Sequence, residues 1–147
     1  MTELRRLLVA VADSPASLAA ARSAVELAAR LGAQLRAVHV VSDGRLAALL
    51  GTVEPGTGAR GSPAPEAVPV LAHVAELARR AGVPVSTVQH EGEVGPSVLD
   101  EARSWDADLI VVGRTTRRGA GDPFIGVDAQ RVLEFCDCPV LVVPGPR

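Results

Sequence analysis

Glycine and arginine are concentrated in one stretch of the chain, from Gly113 to Val127. Glycines have no Cβ, so the backbone of this stretch can come close to a bound ligand. Arg114, Arg117 and Arg118 add positive charge, and a helix beginning near Gly126 would offer free backbone N–H groups to an anion. These features favour a phosphate-bearing ligand. The alternative is a solvated basic surface loop, since surface loops are often rich in glycine.

Two further segments should meet this stretch at the same edge of the fold. Ala12, Asp13 and Ser14 follow one short apolar run, and Val41 ends another. In open parallel sheets, ligands bind beyond the carboxyl ends of the strands, where the strand order reverses. We therefore predict a ligand site built from these strand ends and the glycine-rich stretch.

The elements that would position these residues alternate between strand and helix. Apolar runs rich in β-forming residues predict strands, and apolar residues at helical spacing predict the helices between them. Ser14 is a suitable N-cap and Gly32 a suitable C-cap for the first helix. The predicted strands cover residues 7–12, 34–41, 84–89, 108–113 and 139–143. The predicted helices cover residues 15–31, 65–81, 96–105 and 127–135.

This alternation predicts an α/β fold, a doubly wound five-stranded parallel sheet with helices on both faces. A single domain over residues 1–147 is expected, with one irregular connection at about residues 42–65. That connection is rich in glycine and proline, and a loop of this length is often mobile or functional.

Composition narrows the classes of function. The formal net charge of −2, one Trp, two Phe and no Tyr give no basic or aromatic surface for nucleic acid. No apolar run approaches the roughly 20 residues that span a bilayer, so we expect a cytoplasmic protein without a membrane partner. Cys136 and Cys138 are predicted to be structural, because neighbours on an extended segment point to opposite faces and rarely pair. His39 is expected to be a packed core histidine with a backbone partner, and no metal site is predicted.

Four segments of the chain resemble the pattern of the universal stress protein family. They are Leu8–Ser14 (LVAVADS), Val38–Val41 (VHVV), Ala107–Gly113 (ADLIVVG) and Arg131–Val143 (RVLEFCDCPVLVV). The resemblance covers the whole chain apart from the long connection. It implies a Rossmann-like sheet of the adenine nucleotide alpha hydrolase type, with strand order 3-2-1-4-5. It also implies ATP or AMP as ligand, with Mg²⁺ only alongside the nucleotide.

The chain departs from the family's ATP-binding pattern at three positions. ATP-binding members carry a G-x2-G-x9-G-[ST] loop after the fourth strand, and here Thr116 replaces the second glycine and Val127 the hydroxyl residue. Ala12 stands where the family has an aspartate. Thr116 adds a Cβ beside the phosphates, and Val127 cannot donate a hydrogen bond. Asp122 and Asp128 flank the expected phosphate position and would repel a triphosphate.

The leading hypothesis is a non-enzymatic, dimeric universal stress protein of the stress response, with a degenerate or altered nucleotide-binding loop. The alternative is an ATP- or AMP-binding member with slow hydrolysis, in which the loop arginines replace the lost glycine contacts. A third class is an enzyme on this architecture, such as a nucleotidyl transferase or electron-transfer flavoprotein, but no catalytic constellation is evident. The candidate nucleotide-site residues are Ala12, Asp13, Val41, Gly113, Arg114, Thr116, Arg117, Gly126 and Val127.

The apolar segment Pro139–Val143 is predicted to form the last strand of the sheet. An exposed apolar edge favours pairing with another chain. The family resemblance implies antiparallel pairing of this strand across a two-fold axis, which would give a homodimer. Gly145 and Pro146 would end the strand soon afterwards.

Overall fold

The computed structural model describes residues 3–12, 14–41, 62–63, 69–114 and 127–146, and the structural statements below concern these ranges. The strands are β1 (Arg6–Val11), β2 (Gln34–Val41), β3 (Ser62–Pro63), β4 (Val85–Glu91), β5 (Leu109–Arg114) and β6 (Val140–Pro144). The helices are α1 (Pro15–Leu31), α2 (Pro69–Arg80), α3 (Val94–Trp105) and α4 (Val127–Phe135).

The strands form one sheet in the order β3-β4-β2-β1-β5-β6. All neighbouring strands from β4 to β6 pair in parallel. If these five parallel strands are numbered among themselves along the chain, leaving out β3, their order in the sheet is 3-2-1-4-5. The predicted doubly wound five-stranded α/β sheet is therefore confirmed. The two-residue β3 adds an antiparallel edge beside β4. It comes from within the long connection, where no strand was predicted.

Helices cover both faces of the sheet, and each face has its own apolar core. Helices α1 and α2 pack on one face, around residues such as Leu7 and Leu35. Helices α3 and α4 pack on the other face, around Leu8 and Val38. Successive strand residues point to opposite faces, so the unbroken apolar run Leu7–Val11 contributes to both cores.

Helix α1 begins and ends as its capping residues predict. The Ser17 N–H donates to the Ser14 side-chain oxygen at 3.2 Å, and Pro15 occupies the first turn. Gly32 ends the helix in the left-handed region, with φ of 65°. The N-cap Ser14 comes soon after the end of β1 at Val11, which places the first turn of α1 at the carboxyl edge of the sheet.

Several predicted boundaries move by a few residues. The predicted third strand extends to Glu91 in β4, and α3 begins at Val94 rather than Pro96. Pro96 lies in the first turn of α3, where a helix does not need its N–H. The predicted start of α2 at residue 65 lies outside the described residues, as does most of the 42–65 connection. None of the helices in the described ranges is long and apolar enough to cross a membrane.

Candidate functional site

A cleft of about 240 Å³ opens at the carboxyl edge of the sheet, where β1 lies between β2 and β5. Valine and alanine side chains from β1, β2, β5, α3 and α4 form most of its lining, Val38, Val40 and Val98 among them. Within the described lining, Ser14 and Ser17 are the residues with side-chain hydroxyls. Such a mainly apolar cleft can hold a flat ring system and offers few groups for chemistry.

The structure brings Ala12 and Gly113 of the predicted site residues together at this cleft. Val41 ends β2, but Val40 is the residue that lines the cleft, because successive strand residues point to opposite faces. The predicted residues Asp13, Thr116, Arg117 and Gly126 lie outside the described residues, as does Arg118. Val127 is the first residue of α4, and its side chain also lies outside the described part.

Gly113 is required by packing inside the protein. A Cβ built at this position would lie 2.5 Å from the carbonyl oxygen of Ala16 and 2.8 Å from its carbonyl carbon. The end of β5 therefore sits against the first turn of α1 with no room for a side chain. From the sequence, we attributed the glycine at position 113 to the close approach of a ligand. The contact with α1 is a second reason why this position needs a glycine.

Arg114 follows at the end of β5 and is half-buried. Its Nε is buried and has no hydrogen-bond partner in the part of the chain that the structure describes. A buried N–H without an acceptor costs free energy, which an anionic acceptor would recover. Arg114 is not among the described residues that line the cleft.

His39 lies in β2 and is half-buried. Burial lowers the pKa of its imidazole below the usual 6.5, because the charged form is poorly solvated there. Its Nδ1 is buried without a hydrogen-bond partner among the described residues, so the expected backbone partner is not found in that part of the chain.

A buried polar cluster beside the cleft was missed by sequence reasoning. Glu101 of α3 has a side chain only 5% exposed, and its two carboxylate oxygens contact Arg36 at 2.7 Å and His90 at 2.8 Å. Arg36 also donates from Nε to the Ser86 hydroxyl at 2.9 Å. The guanidinium carbon lies 4.7 Å from the centre of the Trp105 ring.

The cluster lies directly behind one wall of the cleft. Val98 lines the cleft and stands about one helical turn before Glu101 in α3. Val40 also lines the cleft and is the register partner of His90 in β4. The sequence did contain one indication of the cluster, because Arg36 interrupts an apolar strand and a buried charge needs a partner.

The described ranges contain no cluster of side chains that could serve as metal ligands. No group of three His, Cys, Asp or Glu side chains there is arranged to hold a metal ion.

The sequence pattern of the universal stress protein family matches residues 3–144 of the chain. The chain is 30% identical over 145 residues to Universal stress protein MJ0531 of Methanocaldococcus jannaschii, an alignment covering 97% of this chain and 84% of that protein. Together with the fold, these matches show that the chain belongs to the universal stress protein family.

Solved structures of similar fold include two nucleotide complexes. A universal stress protein in complex with cAMP has a TM-score of 0.71 at 18% identity, covering 99% of this chain and 100% of that one. The universal stress protein of Archaeoglobus fulgidus in complex with dAMP has a TM-score of 0.68 at 22% identity, covering 97% of this chain and 99% of that one. At 18% and 22% identity, the likeness to these two structures establishes the shared fold alone.

Proposed function

We propose that this chain is a non-enzymatic universal stress protein that binds an adenine mononucleotide in the cleft at the carboxyl edge of its sheet. The observation that carries the proposal is the apolar cleft of about 240 Å³. Its valine and alanine walls suit a purine base, which is flat and largely apolar on its faces. The similar structures that hold cAMP and dAMP support the choice of ligand.

A mononucleotide suits this chain better than a triphosphate. Thr116 and Val127 replace a glycine and a hydroxyl residue of the family's ATP-binding loop. Each change removes a close backbone approach or a donor that phosphates need. Asp122 and Asp128 add negative charge to this stretch of the sequence, and repulsion from such charges would grow with the charge of the ligand. The altered loop should therefore weaken ATP binding more than AMP binding.

The composition of the cleft supports a non-enzymatic role. Its described lining contains no His, Cys or acidic side chain that could act as a general base. The hydroxyl oxygen of Ser14 accepts the capping hydrogen bond of α1. We infer that the protein takes part in the stress response through contacts that depend on ligand binding.

Isothermal titration calorimetry with AMP, cAMP and ATP tests the proposed ligand class. AMP should bind at least as tightly as ATP, and purified protein should not turn ATP over. Ala12→Phe would place a ring in the cleft and should weaken AMP binding by more than about tenfold, because a filled pocket excludes the base. Ala29→Phe, on an exposed position of α1, is the matched control. Tenfold tighter binding of ATP than AMP, or binding of neither, would overturn the proposal.

Arg114 favours a second candidate, an ATP- or AMP-binding member with slow hydrolysis. Its buried Nε is a donor without a partner among the described residues, as a phosphate-binding arginine would be before the ligand arrives. Under this candidate, Arg114→Gln should weaken ATP binding more than AMP binding and slow the release of ADP. Arg80→Gln, at an exposed position of α2, is the control.

We further propose a homodimer formed through the outer edge of β6. This strand is the last of the sheet, and its outer edge has no partner within the described residues. Leu141 of β6 is 37% exposed, and Leu133 and Phe135 of α4, the helix before β6, are 38% and 57% exposed. An unpaired edge flanked by apolar side chains favours association with a second copy.

A further inference from the structure

A bend between α4 and β6 brings two thiols to one pocket at the amino edge of the sheet, away from the nucleotide cleft. Cys136 directly follows α4, and Asp137 and Cys138 form the bend. Both cysteines are free and half-buried, and both line a pocket of about 190 Å³. The expectation that they point to opposite faces is wrong, because the segment is bent rather than extended.

The bend is anchored at both ends by backbone hydrogen bonds. The Cys136 N–H donates to the Val132 carbonyl at 3.0 Å, which continues the hydrogen bonding of α4. The Ile110 N–H donates to the Pro139 carbonyl at 3.0 Å, which begins the pairing of β5 with β6. Asp137 and Cys138 lie between these two anchoring residues, so the bend is held at both ends.

Helix α3 holds the bend from outside. Arg103 donates to the carbonyl oxygen of Phe135 at 3.1 Å and to the carboxylate of Asp137 at 3.4 Å. Within the bend, the Cys136 thiol donates to the carbonyl oxygen of Cys138 at 3.2 Å. The same thiol lies 3.7 Å from the carbonyl oxygen of Leu133, so it sits between the last turn of α4 and the bend.

Cys138 lies in a less polar and more negative environment than a free thiol does. The pKa of Cys138 is raised, mainly by burial and then by the neighbouring Cys136, Asp108 and Asp137. Negative charge beside a buried thiol disfavours its thiolate form. Because Cys138 must ionise to react, its reaction should become faster as the pH rises.

We propose that Cys136 and Cys138 are a redox-active dithiol that closes to a reversible intramolecular disulfide when a small-molecule disulfide is the oxidant. The Cys136 thiolate attacks one sulfur of the oxidant RSSR, an S–S bond forms to the protein, and RS⁻ leaves. The Cys138 thiolate then attacks the Cys136 sulfur, and the second RS⁻ leaves. The two thiol protons end on the leaving groups, so RSSR is reduced to two RSH while the protein loses two hydrogens.

Reversibility follows from the size of the ring. Two cysteines separated by one residue close a small ring, and departures from relaxed disulfide geometry make the bond easier to reduce. A ring this short also removes little entropy from the unfolded chain, so the bond would not act as a stabilising cross-link.

The full reduced chain, incubated with oxidised glutathione, tests the dithiol. Both free thiols should disappear, the intact mass should fall by two hydrogens without cross-linking of chains, and dithiothreitol should restore the starting state. The variants Cys136→Ser and Cys138→Ser should each form a mixed disulfide with one glutathione and react no further, because the second thiol is missing. Persistent free thiols, two stable adducts on the parent chain or disulfide-linked dimers would each overturn the proposal.

A rate comparison shows whether the fold positions the two thiols. Ring closure in the native chain should be at least about tenfold faster than in the urea-unfolded chain, because oriented groups react faster. Arg103→Ala should slow the native reaction by loosening the bend, whereas Arg80→Ala, an exposed arginine of α2, should not. Equal rates in native and unfolded chains would contradict a preformed site.

Discussion

The carboxylate of Glu101 is buried between two basic side chains, Arg36 and His90. Taking an ion out of water costs several kcal/mol in proteins, and attraction offsets this cost only when hydrogen bonding is complete. Here each carboxylate oxygen has its own partner. Glu101 is the member that both others contact, so its loss would remove both interactions at once.

Glu101→Ala should therefore lower the free energy of unfolding by about 3 kcal/mol, since a broken buried ion pair leaves an unpaired charge. Urea denaturation monitored by circular dichroism measures the change. Glu76→Ala is the matched control, because Glu76 pairs with Arg80 on an exposed face of α2 and should cost no more than about 0.5 kcal/mol. Similar small losses in both variants would show that the cluster contributes little.

His39 should make the protein less stable in acid. Its pKa is lowered by burial, so the unfolded chain takes up a proton at a higher pH than the folded chain does. The contribution of the neutral His39 imidazole to the free energy of unfolding is fully present above about pH 6.5. It is lost as the pH falls through the lowered pKa of the folded state. His39→Gln should flatten the stability profile between about pH 7 and pH 5. His73→Gln removes an exposed imidazole as a control, and an unchanged slope in His39→Gln would count against the mechanism.

Among the elements, those set by local residues were predicted well. Ser14 and Gly32 cap α1 as expected, because capping depends on residues within one helical turn. The start of α3 differs from its prediction because Gly95 and Pro96 resemble a loop in sequence, although both are tolerated in a first turn.

The polar cluster could not be predicted in the same way because it depends on distant residues. Arg36 and Glu101 are 65 positions apart, and they meet only once β2 lies beside β4 and α3 covers both. Residue periodicity reports the type of an element and its buried face, but it does not report the register between strands. The choice of Val41 over Val40 has a different cause, since successive residues of β2 point to opposite faces and Val40 is the one that lines the cleft.

The junction of β5 with α1 gives a prediction for these elements. Gly113→Ala should lower the thermal unfolding midpoint, because its Cβ would lie 2.5 Å from the Ala16 carbonyl oxygen. Overpacking of this kind costs about 1–3 kcal/mol. Gly145→Ala is the matched control, since its Cβ would meet the Ala16 Cβ at 3.4 Å. If Gly113 mattered only for a ligand, Gly113→Ala would lose affinity while its midpoint stayed unchanged.

In the whole molecule, the two edges of the sheet differ. The outer edge of β4 pairs with the two-residue β3 at Val88 and Gln89, so part of that edge is covered. The outer edge of β6 has no such cover in the described ranges. The open edge is also the one with Leu141 exposed, so association is expected to be directed to that side.

Leu141→Arg should convert the proposed dimer to monomers, because a charge at the centre of a paired apolar edge is poorly solvated. Size-exclusion chromatography with light scattering gives the mass of each species. Leu31→Arg is the control, since Leu31 is 45% exposed but lies at the end of α1. A monomeric parent protein, or a Leu141→Arg variant that remains dimeric, would rule out this interface.

Trp105 is the chain's one tryptophan, and there is no tyrosine. Since its ring lies 4.7 Å from the Arg36 guanidinium, the protein's intrinsic fluorescence arises where α3 meets β2. Trp105 is not part of the cleft lining, so a nucleotide in the cleft would not stack on it. A change in emission during a nucleotide titration would therefore report movement of α3, and calorimetric binding without such a change would mean that the helix stays in place.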